Sequence, residues 1–229
     1  MAPKGLLFDK DGTLFDFRAT WDHWAGGVLT ELAEQSGAEL TKMADAMGYD
    51  LNARAMLPGS VFIAGTNAEV MDALLPFLPG WQASQLEAHI NACGTNVAPV
   101  SPVPLAPYFT SLREMGYLTA VVTNDSHDNA VQHLAAEAVT DHVDVVIGYD
   151  SGFTPKPAPD MCLAAADKLG IDPGECVMIG DSTHDLFAGQ DAGMATVAVL
   201  TGVAGADVLG PHADVVLQHI GHLPAWLDA

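Results

Sequence analysis

GLLFDKDGT, residues 5–13, decides how this chain folds. Its first part, GLLFD (5–9), is an apolar run without polar alternation, the mark of a short strand buried on both faces. The run ends at once on an acidic, glycine-containing turn. Comparable apolar runs recur only much later, as YLTAVVTN (117–124), DVVIGY (144–149), CVMIGD (176–181), ATVAVL (195–200) and ADVVLQ (213–218). Between them lie helical patterns: PLAPYFTSLREMG (104–116), SHDNAVQHLAAEA (126–138), PAPDMCLAAADKLG (157–170) and STHDLFAGQDAG (182–193). Gly116, Gly170 and Gly193 stand where helix C-caps belong. Strands alternating with helices of this length predict an α/β fold, a parallel sheet covered by helices on both faces.

The stretch from 16 to 98 breaks this alternation. Apolar positions recur at helical spacing through ATWDHWAGGVLTELAEQSG, TKMADAMG, NAEVMDALLPFL and ASQLEAHINACG, with no convincing strand. An all-helical module inserted straight after the first strand is therefore expected. The proline-rich APVSPVPLAP (98–107) marks its return as a stiff connector. The predicted division is a core domain of residues 1–15 and 99–229 and a helical insert of residues 16–98.

Composition narrows the function. Hydrophobic residues make up 49% of the 229 and charged ones 16%, enough apolar content for a sizeable core. A formal charge of -21 with eight Lys and Arg argues against nucleic acid or an anionic membrane as partner. No apolar run reaches the length of a membrane span, and the N-terminus lacks a signal-peptide pattern. Cys93, Cys162 and Cys176 are scattered, with neither a disulfide framework nor a zinc-type cysteine pair. Reduced thiols in a cytoplasmic protein are the expectation.

Each informative polar cluster falls at the C-terminal end of a predicted strand, the edge where open parallel sheets bind ligands. FDKDGT (8–13) supplies Asp9 and Asp11, two apart and on one face if the segment is extended, with Gly12 allowing a tight turn and close backbone approach. TND (123–125) supplies Thr123 and Asn124. TPKPAP holds Lys156 between prolines, and GDSTHD (180–185) supplies Asp181 and Asp185. Taken singly these are ordinary residues: Asp–Gly a turn, Thr–Asn a helix N-cap, Lys156 a solvated lysine, Asp185 a carboxylate favoured by a helix dipole. His127 and His184 read as bystanders. Trp21, Trp24, Phe62, Phe77 and Trp81 read as the insert's core rather than a substrate cage.

Taken together, in this order, the four clusters resemble the motifs of the haloacid dehalogenase superfamily of phosphohydrolases, in its branch with a helical cap after the first motif. FDKDGTLFD is similar to the first motif, Thr123 to the second, Lys156 to the third and GDSTHD to the fourth. The resemblance covers essentially the whole chain. It implies a Rossmann-like core, a mobile cap, a magnesium ion and a covalent aspartyl-phosphate. It also implies that Asp9, the Asp11 backbone carbonyl and Asp181 ligate the metal, with Asp185 acting through water or by orienting Lys156. A dehalogenase-like or phosphonatase-like relative lacks the second aspartate, so Asp11 points to phosphate-ester chemistry. Many similar chains act on phosphoglycolate, which, with a sugar phosphate, is the first substrate expected.

The residue chemistry leads the same way. Asp9, Asp11, Asp181 and Asp185 would crowd four carboxylates around Lys156, which calls for a cation, and all-oxygen ligands beside a phosphate favour Mg²⁺. Asp9 then serves as nucleophile and Asp11 as general acid and base. Thr123, the backbone at Gly12 and Asn124, and Lys156 hold the phosphoryl oxygens. Arg18, just past the first motif, is the candidate for gripping the substrate's non-reacting part. A phosphomutase-like phosphotransferase would use the same residues, and a non-catalytic binding module or a receiver-type domain could share the fold. The substrate within the class of small phosphate esters, the specificity residues of the insert and the oligomeric state are not written in the motifs.

Overall fold

A computed structural model describes residues 3–57, 59–64, 67–95 and 97–228. In chain order the main elements are β1 (Gly5–Phe8), α1 (Phe17–Ser36), α2 (Leu40–Met47), β2 (Tyr49–Asp50), β3 (Ala55–Met56), α3 (Val61–Ala64), α4 (Asn67–Leu74) and α5 (Ala83–Thr95). There follow α6 (Leu105–Glu114), β4 (Leu118–Val122), α7 (His127–Ala136), β5 (Val145–Ile147), α8 (Asp160–Leu169), β6 (Cys176–Gly180), α9 (Thr183–Asp191), β7 (Ala195–Val199), α10 (Ala206–Leu209), β8 (Val215–Leu217) and α11 (Leu223–Leu227). The backbone divides into two compact units, residues 1–17 with 99–229 and residues 18–98.

The first unit is built on one six-stranded sheet of order β5-β4-β1-β6-β7-β8, parallel at every pairing. Counting only its own strands, this is the 3-2-1-4-5-6 arrangement of the Rossmann-like sheet, and the strand order reverses at β1. The apolar run of β1 explains why this strand is central. Leu6 and Phe8 enter one core with Phe109, Leu112, Leu134 and Ile179. Leu7 faces the opposite way, into a second core with Met161, Cys162, Met178 and Ala188. A strand buried on both faces needs apolar residues at every position, and GLLF provides them. Phe8 packs edge-on against Phe109 with ring centroids 5.6 Å apart, anchoring β1 to α6.

Helices close where glycine permits it. Gly170 caps α8 in the left-handed region at φ 70°, its amide reaching back to the Ala166 and Asp167 carbonyls. Gly116 and Gly193 adopt positive φ one residue beyond the caps of α6 and α9.

The second unit is mainly helical, with one departure from the pattern read in the sequence. Tyr49–Asp50 and Ala55–Met56 pair as a small antiparallel ribbon where no strand was expected. Two residues per strand are too few for periodicity to register. The turn is held locally, since the Asp50 carboxylate accepts the Asn52 and Ala53 amides at 2.8 and 3.0 Å. Trp24 packs edge-on against Trp21 and Phe62, and all three are only partly buried. Among the described residues no helix is long and apolar enough to cross a membrane.

Candidate active site

The C-terminal ends of β1, β4 and β6 bring the conspicuous polar residues together. Asp9 leaves β1 with its amide donated to the Ile179 carbonyl at 2.9 Å, which fixes it beside β6. Asp181 follows β6 directly, and Asp185 stands in the first turn of α9. Carboxylate oxygens of Asp9, Asp181 and Asp185 all lie within 4.8 Å of one another, and the three residues are buried.

Lys156 answers part of that charge. Its Nζ donates to Asp9 Oδ1 at 2.6 Å, to Asp185 Oδ1 at 2.5 Å and to the Val122 carbonyl at 2.8 Å, which uses all three ammonium protons. Burial works against the Lys156 charge, but the Asp185 and Asp9 carboxylates outweigh it and hold the ammonium above the usual lysine range. Asp185 is fully committed on its other side too. Its Oδ2 accepts the Ser182 amide at 3.0 Å and the Ser182 hydroxyl at 2.6 Å, reaching back to the start of its own helix.

The cluster still carries too many carboxylates. Burial, reinforced by Asp185 and opposed by Lys156, pushes Asp9 up to about 7. Asp181 is raised as well, through burial first and the Asp9 and Asp185 charges next. Three buried carboxylates against one lysine call for a proton or a second cation. An all-oxygen donor set suits a hard divalent ion such as Mg²⁺. With Asp185 occupied by Lys156 and Ser182, Asp9 and Asp181 are the side chains open to such an ion.

Small residues make room for Asp181. A Cβ on Gly12, which sits at φ 88°, or on Gly202 would collide with its carboxylate. Thr201 donates to the Gly12 carbonyl at 2.7 Å, and Thr13 Oγ1 lies 3.4 Å from Asp181 Oδ1. Gly180 is equally constrained, since a Cβ there would strike Asp185. At the end of β4, buried Thr123 accepts the Asp125 amide through Oγ1 at 3.0 Å. Asn124 reaches the backbone of Lys156 through both side-chain atoms.

Asp11 behaves differently from expectation. Its carboxylate pairs with Lys10 rather than joining the group around Lys156. The reason is local. After Asp9 the chain curls, with the Phe15 amide bonded to the Lys10 carbonyl at 3.0 Å and the Gly12 amide to the Phe15 carbonyl at 2.7 Å. A turn rather than an extended segment therefore joins the two aspartates, and the Asp11 charge still acts on the Asp9 carboxyl. Lys10 itself is fully buried, its Nζ 3.1 Å from Asp125 Oδ2 and 3.0 Å from His133 Nδ1. Burial and the neighbouring ammonium hold His133 below its usual range, so Nδ1 accepts. Against the cost of its own burial, Asp125 is lowered by Lys10.

The sequence reading counted Lys10 among the eight basic residues without giving it a partner, and assigned no role to Thr13, Gly180, Ser182, Thr201 or Gly202. Only Lys10 carried a signal, a cation set between two motif aspartates. His184 is exposed, and the His127 ring lies 3.4 Å from the exposed Asp128. In the helical unit, Arg18 donates to the Met56 carbonyl at 3.1 Å and lies 3.8 Å from Asp22.

Comparison with known proteins gives a consistent picture. A family model described as haloacid dehalogenase-like hydrolase matches residues 3–193. The chain is 32% identical to a pyrophosphatase PpaX of Bacillus pumilus, covering 98% of this chain and 96% of that one. It is 30% identical to a phosphoglycolate phosphatase of Xanthomonas campestris pv. campestris, with 94% and 92% covered. Its fold matches a family hydrolase of Deinococcus radiodurans, solved with bound phosphate and sodium. That match has a TM-score of 0.72, 26% identity and coverage of 99% and 96%.

Proposed function

This chain belongs to the haloacid dehalogenase-like hydrolases and is an enzyme of the phosphatase kind, and within that family we propose that it hydrolyses a small phosphomonoester through an aspartyl-phosphate formed on Asp9. The observation that carries the reading is the Lys156 ammonium, held between Asp9 and Asp185 beside the Asp181 carboxylate. One oxygen of Asp9 is fixed by that ammonium, and the other is left to attack phosphorus. As that bond forms, the bond from phosphorus to the ester oxygen breaks, and Asp11 gives the leaving oxygen its proton. Asp11 then takes a proton from the water that attacks phosphorus, which frees phosphate and restores Asp9. Lys156, Thr123 and the backbone amides at Gly12 and Asn124 support the phosphoryl oxygens while charge spreads over them.

Asp9, Asp181 and the Asp11 carbonyl would hold a magnesium ion, with Asp185 positioning Lys156. When bound, the ion supplies the positive charge that keeps the carboxylates ionised and offsets their repulsion of a phosphate dianion. Residues 18–98 are proposed as the cap that selects the substrate. Small anionic metabolites are favoured, because on so acidic a chain a few local cations must do the attracting.

Phosphate release from a panel of small esters tests the class, with 2-phosphoglycolate, sugar phosphates and inorganic pyrophosphate included. Asp9→Asn abolishes release, whereas Asp11→Asn slows it and leaves phosphorylated enzyme visible by intact mass. A tenth of wild-type turnover in Asp9→Asn would show that another group is the nucleophile.

A further inference from the structure

The helical unit holds a second constellation of metal-ligating side chains, composed unlike the first. Glu31 projects from α1, and His89 and Cys93, four apart, project from one face of α5. Glu31 Oε2, His89 Nε2 and Cys93 Sγ form an almost equilateral triangle, with sides of 3.8 Å, 3.7 Å and 3.9 Å. Ligand atoms of a tetrahedral zinc centre stand about 3.3–3.6 Å apart, given bonds of about 2.0–2.3 Å. The three atoms would therefore close around one ion with a contraction of about half an ångström at most.

Their orientations are supported from behind. Gln35 donates to the other Glu31 oxygen, Oε1, at 2.9 Å, which turns Oε2 toward the histidine and cysteine. The Trp81 ring meets the His89 imidazole edge-on at 5.6 Å and fixes its plane. Holding a ligand's far side in this way is what the outer residues of metal centres do. Glu31 and Cys93 stand 62 residues apart in the chain, so an ion would tie the first long helix of the insert to its last.

We propose that Glu31, His89 and Cys93 form a binding site for one Zn²⁺-like transition-metal ion, with three protein ligands and a fourth position open to water. Mixed oxygen, nitrogen and sulfur donors select zinc over magnesium, which sets the site apart from the all-oxygen group at Asp9 and Asp181. Cys93 binds as thiolate and passes its proton to solvent.

Co²⁺ titration of the reduced full-length protein, with Mg²⁺ in excess, tests the site. A thiolate-to-cobalt charge-transfer band in the near ultraviolet arises only from sulfur ligation, so the oxygen site is silent. The expected result is a band saturating at one equivalent and removed by Zn²⁺. Cys93→Ser abolishes the band, while His89→Ala and Glu31→Gln each weaken Co²⁺ binding at least tenfold. Zn²⁺ raises the Tm of the wild type and not of Cys93→Ser, and Mg²⁺-dependent phosphate release by that variant matches wild type. Glu31 is half exposed, so Glu31→Gln folds whatever becomes of the others. Absence of a band in the wild type overturns the proposal. So does a band that survives in Cys93→Ser, which would place the sulfur at Cys162 or Cys176.

Discussion

Asn124 and Lys156 hold each other by two reciprocal hydrogen bonds. Asn124 Nδ2 donates to the Lys156 carbonyl at 2.9 Å, and its Oδ1 accepts the Lys156 amide at 3.0 Å. The side chain at the end of β4 thus fastens the backbone of a lysine that reaches Asp9 from another loop. Asn124→Ala removes both bonds and leaves every charged group in place. Supporting interactions of this kind are worth roughly 10- to 100-fold in activity. The expected outcome is a kcat loss in that range with KM for Mg²⁺ within a few-fold of wild type. Steady-state kinetics at several Mg²⁺ concentrations checks it, and unchanged kcat would mean that Lys156 is held by its three ammonium bonds alone.

Asp181 and Asp185 present the same functional group with different commitments. Asp185 is bonded to Lys156 and Ser182, whereas among the described residues Asp181 has its own backbone amide and the 3.4 Å approach of Thr13. Asp181→Ala should therefore raise the Mg²⁺ concentration needed for activity far more than Asp185→Ala. Asp185→Ala should lower Tm more, since it strips Lys156 of a partner and α9 of its N-terminal bond. Gly202→Ala gives an independent check, because the added methyl must displace Asp181. Its expected effect is weaker Mg²⁺ binding by calorimetry with an unchanged circular dichroism spectrum.

How far the site was legible follows from where each residue gets its role. Asp9, Thr123 and Asp181 directly follow strands, and strand ends can be read from apolar runs, whereas Lys156 stands in the loop between β5 and α8 and is marked by its flanking prolines. The parallel sheet itself was readable because β1, β4, β6 and β7 are buried on both faces and so carry no polar alternation. The curl after Asp9 was not legible because extended geometry was assumed across Lys10, while the Phe15 amide bonds to the Lys10 carbonyl and the Gly12 amide to the Phe15 carbonyl. Gly202 and Thr201 lie far from the first motif in sequence and meet it only through the pairing of β6 with β7. The trio of Glu31, His89 and Cys93 spans two helices, and spacing within one segment carries no sign of a partner on another.

The raised Asp9 and Asp181 predict an unusual pH response of the metal-free protein. Asp9 is pushed from 3.8 up to about 7, chiefly by burial. Between those values the folded state keeps protons that the unfolded chain has released. Stability from this source therefore falls as pH rises through the window, the opposite of a salt-bridged carboxylate. Without metal, the Tm of wild type relative to Asp9→Asn should fall between about pH 5 and about pH 7.5, while the Tm gain on adding Mg²⁺ grows. Scanning calorimetry at both values, with chelator and with Mg²⁺, decides it. A wild-type slope identical to that of Asp9→Asn would dismiss the shift.

Lys10 is the fully buried cation that joins Asp11, Asp125 and His133. Lys10→Met keeps the apolar stem and deletes the charge, leaving two carboxylates without their partner. Removing one member of a buried ion pair costs about 3 kcal/mol. If Lys10 also sets the direction of Asp11, kcat for esters with poor leaving groups should fall more than kcat for an aryl phosphate. An activated leaving group needs little help from an acid. Chemical denaturation measures the first effect and paired kinetics the second. An equal drop on both substrates would confine Lys10 to stability.

Arg18 and Arg54 are two of only eight Lys and Arg in the chain, and both line a cleft of about 770 Å³ within the helical unit, together with His23 and Tyr49. One guanidinium nitrogen of Arg18 is bonded to the Met56 carbonyl. That bond leaves further N–H groups of a rigid, planar donor set for a carboxylate or a hydroxyl. Asp22, Glu31 and Glu34 line the same cleft, so it is not positive as a whole, and an anionic substrate's non-reacting end would have to meet a guanidinium directly. Arg18→Ala should therefore raise KM for the best small anionic substrate by about tenfold, the worth of one charge-assisted hydrogen bond, with kcat little changed. An aryl phosphate, which lacks the distal anion, should be almost unaffected. The same substitution also frees the Met56 carbonyl, so a purely structural role must be told apart. Loss of the β2–β3 pairing would depress kcat/KM for both substrates alike and lower Tm, and Arg18→Lys, which can still reach the carbonyl as a donor, would restore both. Selective loss that lysine fails to rescue assigns Arg18 to substrate recognition, and equal loss with full rescue removes it from that role.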